Sequence, residues 1–234
     1  MIICSVIGVA ACIGLGCAGH DKPGESDSPA PQAADAQAPT GDGYYLPACA
    51  RCDRLLGSRG DVIDAVADRR RVRFCCADCR NEFFRDTAAG LAGLDRRLIE
   101  DQASWYPTDT SIVSGRPLGA TPVNVIWGNR LVRVTDASEA AAFRADPQPY
   151  IEQLDRLVIA RQAPLYVIRK CPVQGTRLDD EVEASLTAVV AGRMIRVCCM
   201  DCRQRVLQQP GHYLPLIDFA LREELHRQSP DRRG

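Results

Sequence analysis

The segment VRFCCADC at 72–79 returns as IRVCCMDC at 195–202, and VRVTDASE stands between them at 132–139. A chain that resembles itself is confined to folds in which one supersecondary unit is built several times, so the period has to be settled first. The likeness extends well beyond these segments. The copies begin YYLPACARCDRLLG (44–57), WYPTDTSIVSGRPLG (105–119) and LYVIRKCPVQGTRLD (165–179). Cys49, Ser111 and Cys171 then fall together, as do Cys52, Ser114 and Gln174. Further on, Cys75/Thr135/Cys198, Cys76/Asp136/Cys199 and Cys79/Glu139/Cys202 coincide. Each copy closes on an aspartate, in LAGLD (91–95), IEQLD (151–155) and LPLID (214–218), and the period is 60–63 residues.

The unit itself is best read from the middle copy. VNVIWGNRLVRV (123–134) is two alternating apolar runs around Gly-Asn, a hairpin signal, and LTAVVAGRMIRV (186–197) repeats it around Ala-Gly. A helical stretch follows each. In the middle copy it starts with Asp136 and Glu139 at capping-box spacing; in the others a Cys-Cys pair holds that place. The expected fold class is α+β: three tandem small units, each a cysteine knuckle or loop, a β-hairpin and short helices. The expected boundaries are 43–95, 96–155 and 156–222. Units of about 60 residues bury little core and need a staple or a neighbour. Thiols can staple the outer copies. The middle copy is expected to hold its helix start through the Asp136/Glu139 cap, worth about 1 kcal/mol.

Apart from Cys4, Cys12 and Cys17 near the N-terminus, all nine remaining cysteines lie at repeat motifs. The first copy has Cys49-x-x-Cys52 and then Cys75, Cys76 and Cys79. The third has Cys171 and then Cys198, Cys199 and Cys202. Two cysteines of a turn and two of a first helical turn can converge at about 2.3 Å on one tetrahedral ion. On a helix, Cys75 or Cys76 can share a face with Cys79, and both alternatives stay open. A complete set of four thiolates suits Zn(II), and a thiolate set with fewer ligands suits Cu(I). Disulfides are the competing use in an exported chain, but nine is odd and adjacent cysteines bridge each other poorly. A thiol-redox role for Cys49-x-x-Cys52 lacks the βαβ pattern such a motif accompanies.

The N-terminal run MIICSVIGVAACIGLGC (1–17) has the length of an export signal. GLGC (14–17) resembles the lipobox of bacterial lipoproteins, which implies lipidation at Cys17 and a membrane anchor on the outer side. Residues 18–42, rich in Ala, Pro, Asp, Gly and Ser, read as a flexible tether of about 25–30 Å, and 223–234 as a disordered tail. With a net charge of −1 the chain has no broad attraction for nucleic acid. His20, His212 and His226 match no ligand position, and no catalytic constellation is present, so a non-enzymatic role is expected.

CPVQG (171–175), VCCMDC (197–202) and QQPGHYLPLI (208–217) resemble the YHS/TRASH-type heavy-metal-binding domains. RFCCADCRNEFF (73–84) carries the pattern into the first copy, and SIVSG with AAFRADPQPYI (141–151) carries its frame into the middle one. The resemblance implies metal ligation by Cys49, Cys75 and Cys79 and by Cys171, Cys198 and Cys202, with Cys52, Cys76 and Cys199 as further candidates. It implies binding or trafficking of copper or zinc, with a metal-handling protein as partner. Zinc or disulfide staples in a structural protein are the alternative use of the same residues.

Overall fold

The computed structural model describes residues 40–179 and 183–228. Residues 1–39, 180–182 and 229–234, and with them the expected export signal, Cys17, His20 and most of the expected tether, lie outside the described residues. The fold is α+β, with small antiparallel hairpins each followed by two helices. The first group is β1 (Ile63–Ala67), β2 (Arg70–Phe74), α1 (Ala77–Arg85) and α2 (Thr87–Ala103). The next is β3 (Val123–Trp127), β4 (Arg130–Val134), α3 (Ala137–Ala145) and α4 (Gln148–Gln162). The last is β5 (Thr187–Val190), β6 (Arg193–Arg196), α5 (Met200–Gln208) and α6 (Pro210–Gln228). The pairings Ala67↔Arg70, Trp127↔Arg130 and Val190↔Arg193 leave two-residue turns. Such turns demand left-handed backbone: Ala191 and Gly192 sit at φ +50° and +73°, and Asp68 and Arg69 at +45° and +58°. No helix of the described residues is long and apolar enough to cross a membrane.

The second helix of each group is not short, and the closing aspartates do not end anything. α2 runs eight residues past Asp95, α4 seven past Asp155, and α6 ten past Asp218. α6 therefore reaches into the segment expected to be a tail. The aspartates instead turn back to the first arginine of the second strand: Arg70–Asp95 at 2.6 Å, Arg130–Asp155 at 2.7 Å and Arg193–Asp218 at 3.4 Å. The arginine-rich 68–74 segment thus contributes a buried Arg70.

The extra turns dock onto the following hairpin. Gln102 donates from Nε2 to the Asn129 carbonyl (2.9 Å) and accepts the Leu131 N–H (2.9 Å). Gln162 does the same with Gly192 O (2.7 Å) and Met194 N–H (2.8 Å). A buried amide whose donor and acceptor are both used is a strong orienting device. The first and third groups share one apolar core, into which Cys49, Cys75, Cys171 and Cys202 are built, while the middle group has a core of its own around Val132 and Phe143. The folded body starts earlier than the sequence boundary at 43. Asp42 accepts from Arg130 Nε and Nη2 at 2.7 and 3.0 Å and from the Ala191 N–H at 2.9 Å, tying the middle and third hairpins together.

Candidate metal centres

The loop before each hairpin makes the same knuckle. Cys49, Ser111 and Cys171 each donate N–H to a carbonyl five residues on, in Arg54, Arg116 and Thr176. A one-residue bridge closes each loop, Ala48↔Leu55, Thr110↔Pro117 and Lys170↔Arg177. Gly115 and Gly175 turn the chain with positive φ, and Asp53 (φ +59°) does so in the first knuckle. Arg97 of α2 holds that knuckle from behind, donating to the Cys49 carbonyl (3.0 Å), the Ala50 carbonyl and the Asp53 carboxylate.

In the first group the knuckle sulfurs of Cys49 and Cys52 meet those of Cys75 and Cys79, all within 4.8 Å of one another. Cys52–Cys75, Cys75–Cys79 and Cys79–Cys52 are 3.6, 3.7 and 3.5 Å apart. The edge of a tetrahedron with 2.3 Å metal–sulfur bonds is about 3.8 Å, while a disulfide needs about 2.05 Å. The nine cysteines of the described residues are all free thiols. The second centre brings Cys171, Cys198 and Cys202 together within the same limit, with Cys198–Cys202 at 3.8 Å. Gln174, at the knuckle position that Cys52 holds in the first group, accepts the Cys198 thiol on Oε1 at 3.5 Å. Both centres thus have the donor set of a soft or borderline cation.

Thiols so close share their protons unevenly. Burial, and then the neighbouring Cys52, pushes Cys75 up to about 12, and burial raises Cys79 further. Burial also acts upward on Cys52, but the Arg54 N–H and the Cys79 and Cys75 thiols outweigh it and lower it. The same division puts Cys202 and Cys198 high and Cys171 low, the last through the N–H groups of Gln174 and Cys198 acting against burial. Burial thus works against the charged form at the helix-start sulfurs, while hydrogen bonds favour it at one knuckle sulfur of each centre, and a cation entering either centre displaces protons.

Cys76 and Cys199, carried as candidate ligands by the sequence, stand outside both groups. They are the N-caps of α1 and α5, with extended backbone at φ −166° and −162°. Cys76 still interacts with Cys79 and Cys75, and Cys199 with Cys202 and Cys198, but neither joins the set of sulfurs that are all mutually close.

The middle group shows what the frame does without thiols. Glu139, at the position of Cys79, accepts the Ser111 hydroxyl at 2.6 Å, the Thr135 N–H at 2.8 Å and Arg116 Nη2 at 2.7 Å. Asp136 caps α3 through the Glu139 N–H at 3.0 Å and also accepts Arg116 at 2.8 Å. The expected capping pair is present, but Glu139 reaches Thr135 rather than the N-cap amide, and Arg116 was not foreseen. A guanidinium here fills the sector where the outer groups gather sulfur. Burial acts upward on Glu139, but Ser111, Ser114, the Thr135 N–H and Arg116 outweigh it and hold the carboxyl far below its ordinary value of 4.5. A depressed carboxyl adds stability above its unfolded value and loses it as the pH falls. We expect Glu139→Gln to lower the stability of the chain by about 1–3 kcal/mol at neutral pH. Melting followed from pH 7 downward should show the gap to wild type narrowing below pH 4.5. A gap that does not change with pH would count against the charge.

Comparison with protein-family models, with curated proteins and with solved structures gives no match. The fold and the site define an α+β protein with two cysteine-rich groups, Cys49/Cys52/Cys75/Cys79 and Cys171/Cys198/Cys202, that could hold a metal ion.

Proposed function

We propose that this protein binds soft metal ions, Zn(II) or Cu(I), at two thiolate centres and acts by capture or delivery rather than by catalysis. The carrying observation is the first centre: four free thiols from a knuckle and a helix start, with three sulfur–sulfur edges of 3.5–3.7 Å. Support also comes from the sequence likeness to YHS/TRASH-type metal-binding domains, under which the three hairpin–helix groups are related units and the middle one has exchanged its ligands for an ion-pair network. In the same reading the chain is exported, anchored through Cys17 outside the cytoplasm and served by a metal-handling protein partner.

A structural role for the metal has its own support at the first centre. Cys49 and Cys75 are fully buried and belong to the core shared with the third group, so an ion there also staples the fold. Metal analysis of the full chain after reduction, paired with thiol counting, tests the proposal. Two ions per chain are expected, with the seven clustered thiols protected from alkylation and Cys76 and Cys199 reactive. Absence of bound metal, with thiols blocked until a reductant is added, would replace metal centres by disulfides.

A further inference from the structure

The two centres differ at one corner, and the difference has chemical meaning. In the first, the second knuckle residue is Cys52, and four thiols lie within 4.8 Å of one another. In the second, the same knuckle position is Gln174, an exposed residue whose amide oxygen lies 3.5 Å from Cys198 Sγ. An amide oxygen is a neutral, hard donor and a poor match for a cation that three thiolates have selected. Cys171 and Cys202 are buried, but Cys198 is half-buried and lines a pocket of about 250 Å³ with Thr176, Arg177, Asp179, Glu183 and Arg196. The weak corner and the accessible sulfur are therefore on the open side of the centre. Among the described lining residues, two arginines stand with two acids.

We propose that the Cys171–Cys198–Cys202 centre is an exchange site, whose fourth coordination position passes between the Gln174 amide oxygen and a thiolate brought by another molecule. The inference rests on the metal-binding reading above. The step is ligand substitution without redox change: the incoming thiol gives its proton to solvent, its sulfur bonds to the ion, and the Gln174 oxygen leaves. Repeated at a second and third sulfur, the same substitution carries the ion away. The first centre, with four protein thiols and no amide in the set, has no neutral donor to give up and retains its ion.

Titration of the reduced full chain with Co(II), whose thiolate charge-transfer absorbance scales with the number of sulfur ligands, tests this. After two ions are bound, L-cysteine should raise the absorbance of the second centre by about a third, from three thiolates to four. Gln174→Cys should begin at the higher value and show no rise. A short unstructured peptide with one cysteine, run in parallel, separates the source: entry of both probes means any small thiol suffices, and entry of the peptide alone means the partner is a protein. Two bound cobalt ions with neither thiol entering overturn the inference while leaving metal binding intact. A second centre that already holds four thiolates, one of them lost in Cys199→Ser, overturns it as well. Failure to bind cobalt at all sinks the metal-binding reading itself.

Discussion

Cys79→Ser should remove one metal ion per chain and unfold the first hairpin together with α1. Cys79 is the sulfur through which α1 reaches the knuckle, 3.5 Å from Cys52 and 3.7 Å from Cys75. α1 has only nine residues and no side-chain hydrogen bond at its N-cap, so little besides the metal fixes its start. Structural zinc supplies about 10–16 kcal/mol in small zinc-finger peptides, comparable to the whole stability of a domain, about 5–15 kcal/mol. The loss should spread. Cys49, Cys75 and Cys79 share a core with Ala188, Val190 and Tyr213, so the third group loosens with the first, while the separate core around Phe143 persists longer. Metal content together with far-ultraviolet circular dichroism during melting reads both effects. Cys202→Ser should also cost one ion but destabilise less, because the amide corner of that centre binds more weakly. Cys76→Ser should leave two ions bound. A Cys79→Ser chain that keeps two ions and its melting point would remove the first centre from the account.

The sulfur clusters were legible in the sequence from their spacing: one or two knuckle cysteines, then cysteines at a helix start. The choice within each Cys-Cys pair was not. It depends on the helix starting at Ala77 and Met200 rather than one residue earlier, and a one-residue shift lies within the ordinary uncertainty of helix boundaries. The hairpins were readable from alternation and turn residues to within about a residue. The second helices were not, because LAGLD, IEQLD and LPLID look like endings when they are the middle of α2, α4 and α6, each aspartate being one half of an ion pair with a strand arginine. Gln102 and Gln162 were invisible for a related reason. Each continues an i, i+4 apolar stripe, after Leu94 and Leu98 or after Leu154 and Val158, with a polar residue whose partner is a backbone known only once the hairpins are docked. Arg116 and Gln174 lie at knuckle positions that a ligand search passes over, although alignment with Cys52 marked the place of Gln174.

The other large effect is expected at Arg130, far from any cysteine. Its guanidinium is buried and makes four hydrogen bonds to three chain segments: both Asp42 oxygens, Asp155 Oδ1 at 2.7 Å and the Val189 carbonyl at 2.6 Å. Arg130→Ala strands two carboxylates in a poorly hydrated site, and breaking a buried pair from one side costs about 3–5 kcal/mol. The pH dependence has a definite sign. Burial already raises Asp155, and Arg130 is what opposes it; without the arginine the carboxyl is raised further. An acid whose folded pKa lies above its unfolded value loses stability as the pH rises through that window, so the Arg130→Ala defect should shrink on moving from pH 7 toward pH 4. Arg70 provides the contrast within the same molecule. Among the described residues it pairs with Asp95 alone, and its buried Nε and Nη2 have no hydrogen-bond partner there, so Arg70→Met removes two unsatisfied donors along with one ion pair to a one-third-exposed acid. Its cost should fall within about 1 kcal/mol of wild type. Chemical denaturation of both variants at the two pH values decides the matter. Equal losses for Arg130→Ala and Arg70→Met would mean that the burial of the Asp42–Arg130–Asp155 network, and its tie from the start of the fold to the third hairpin, carries no special weight.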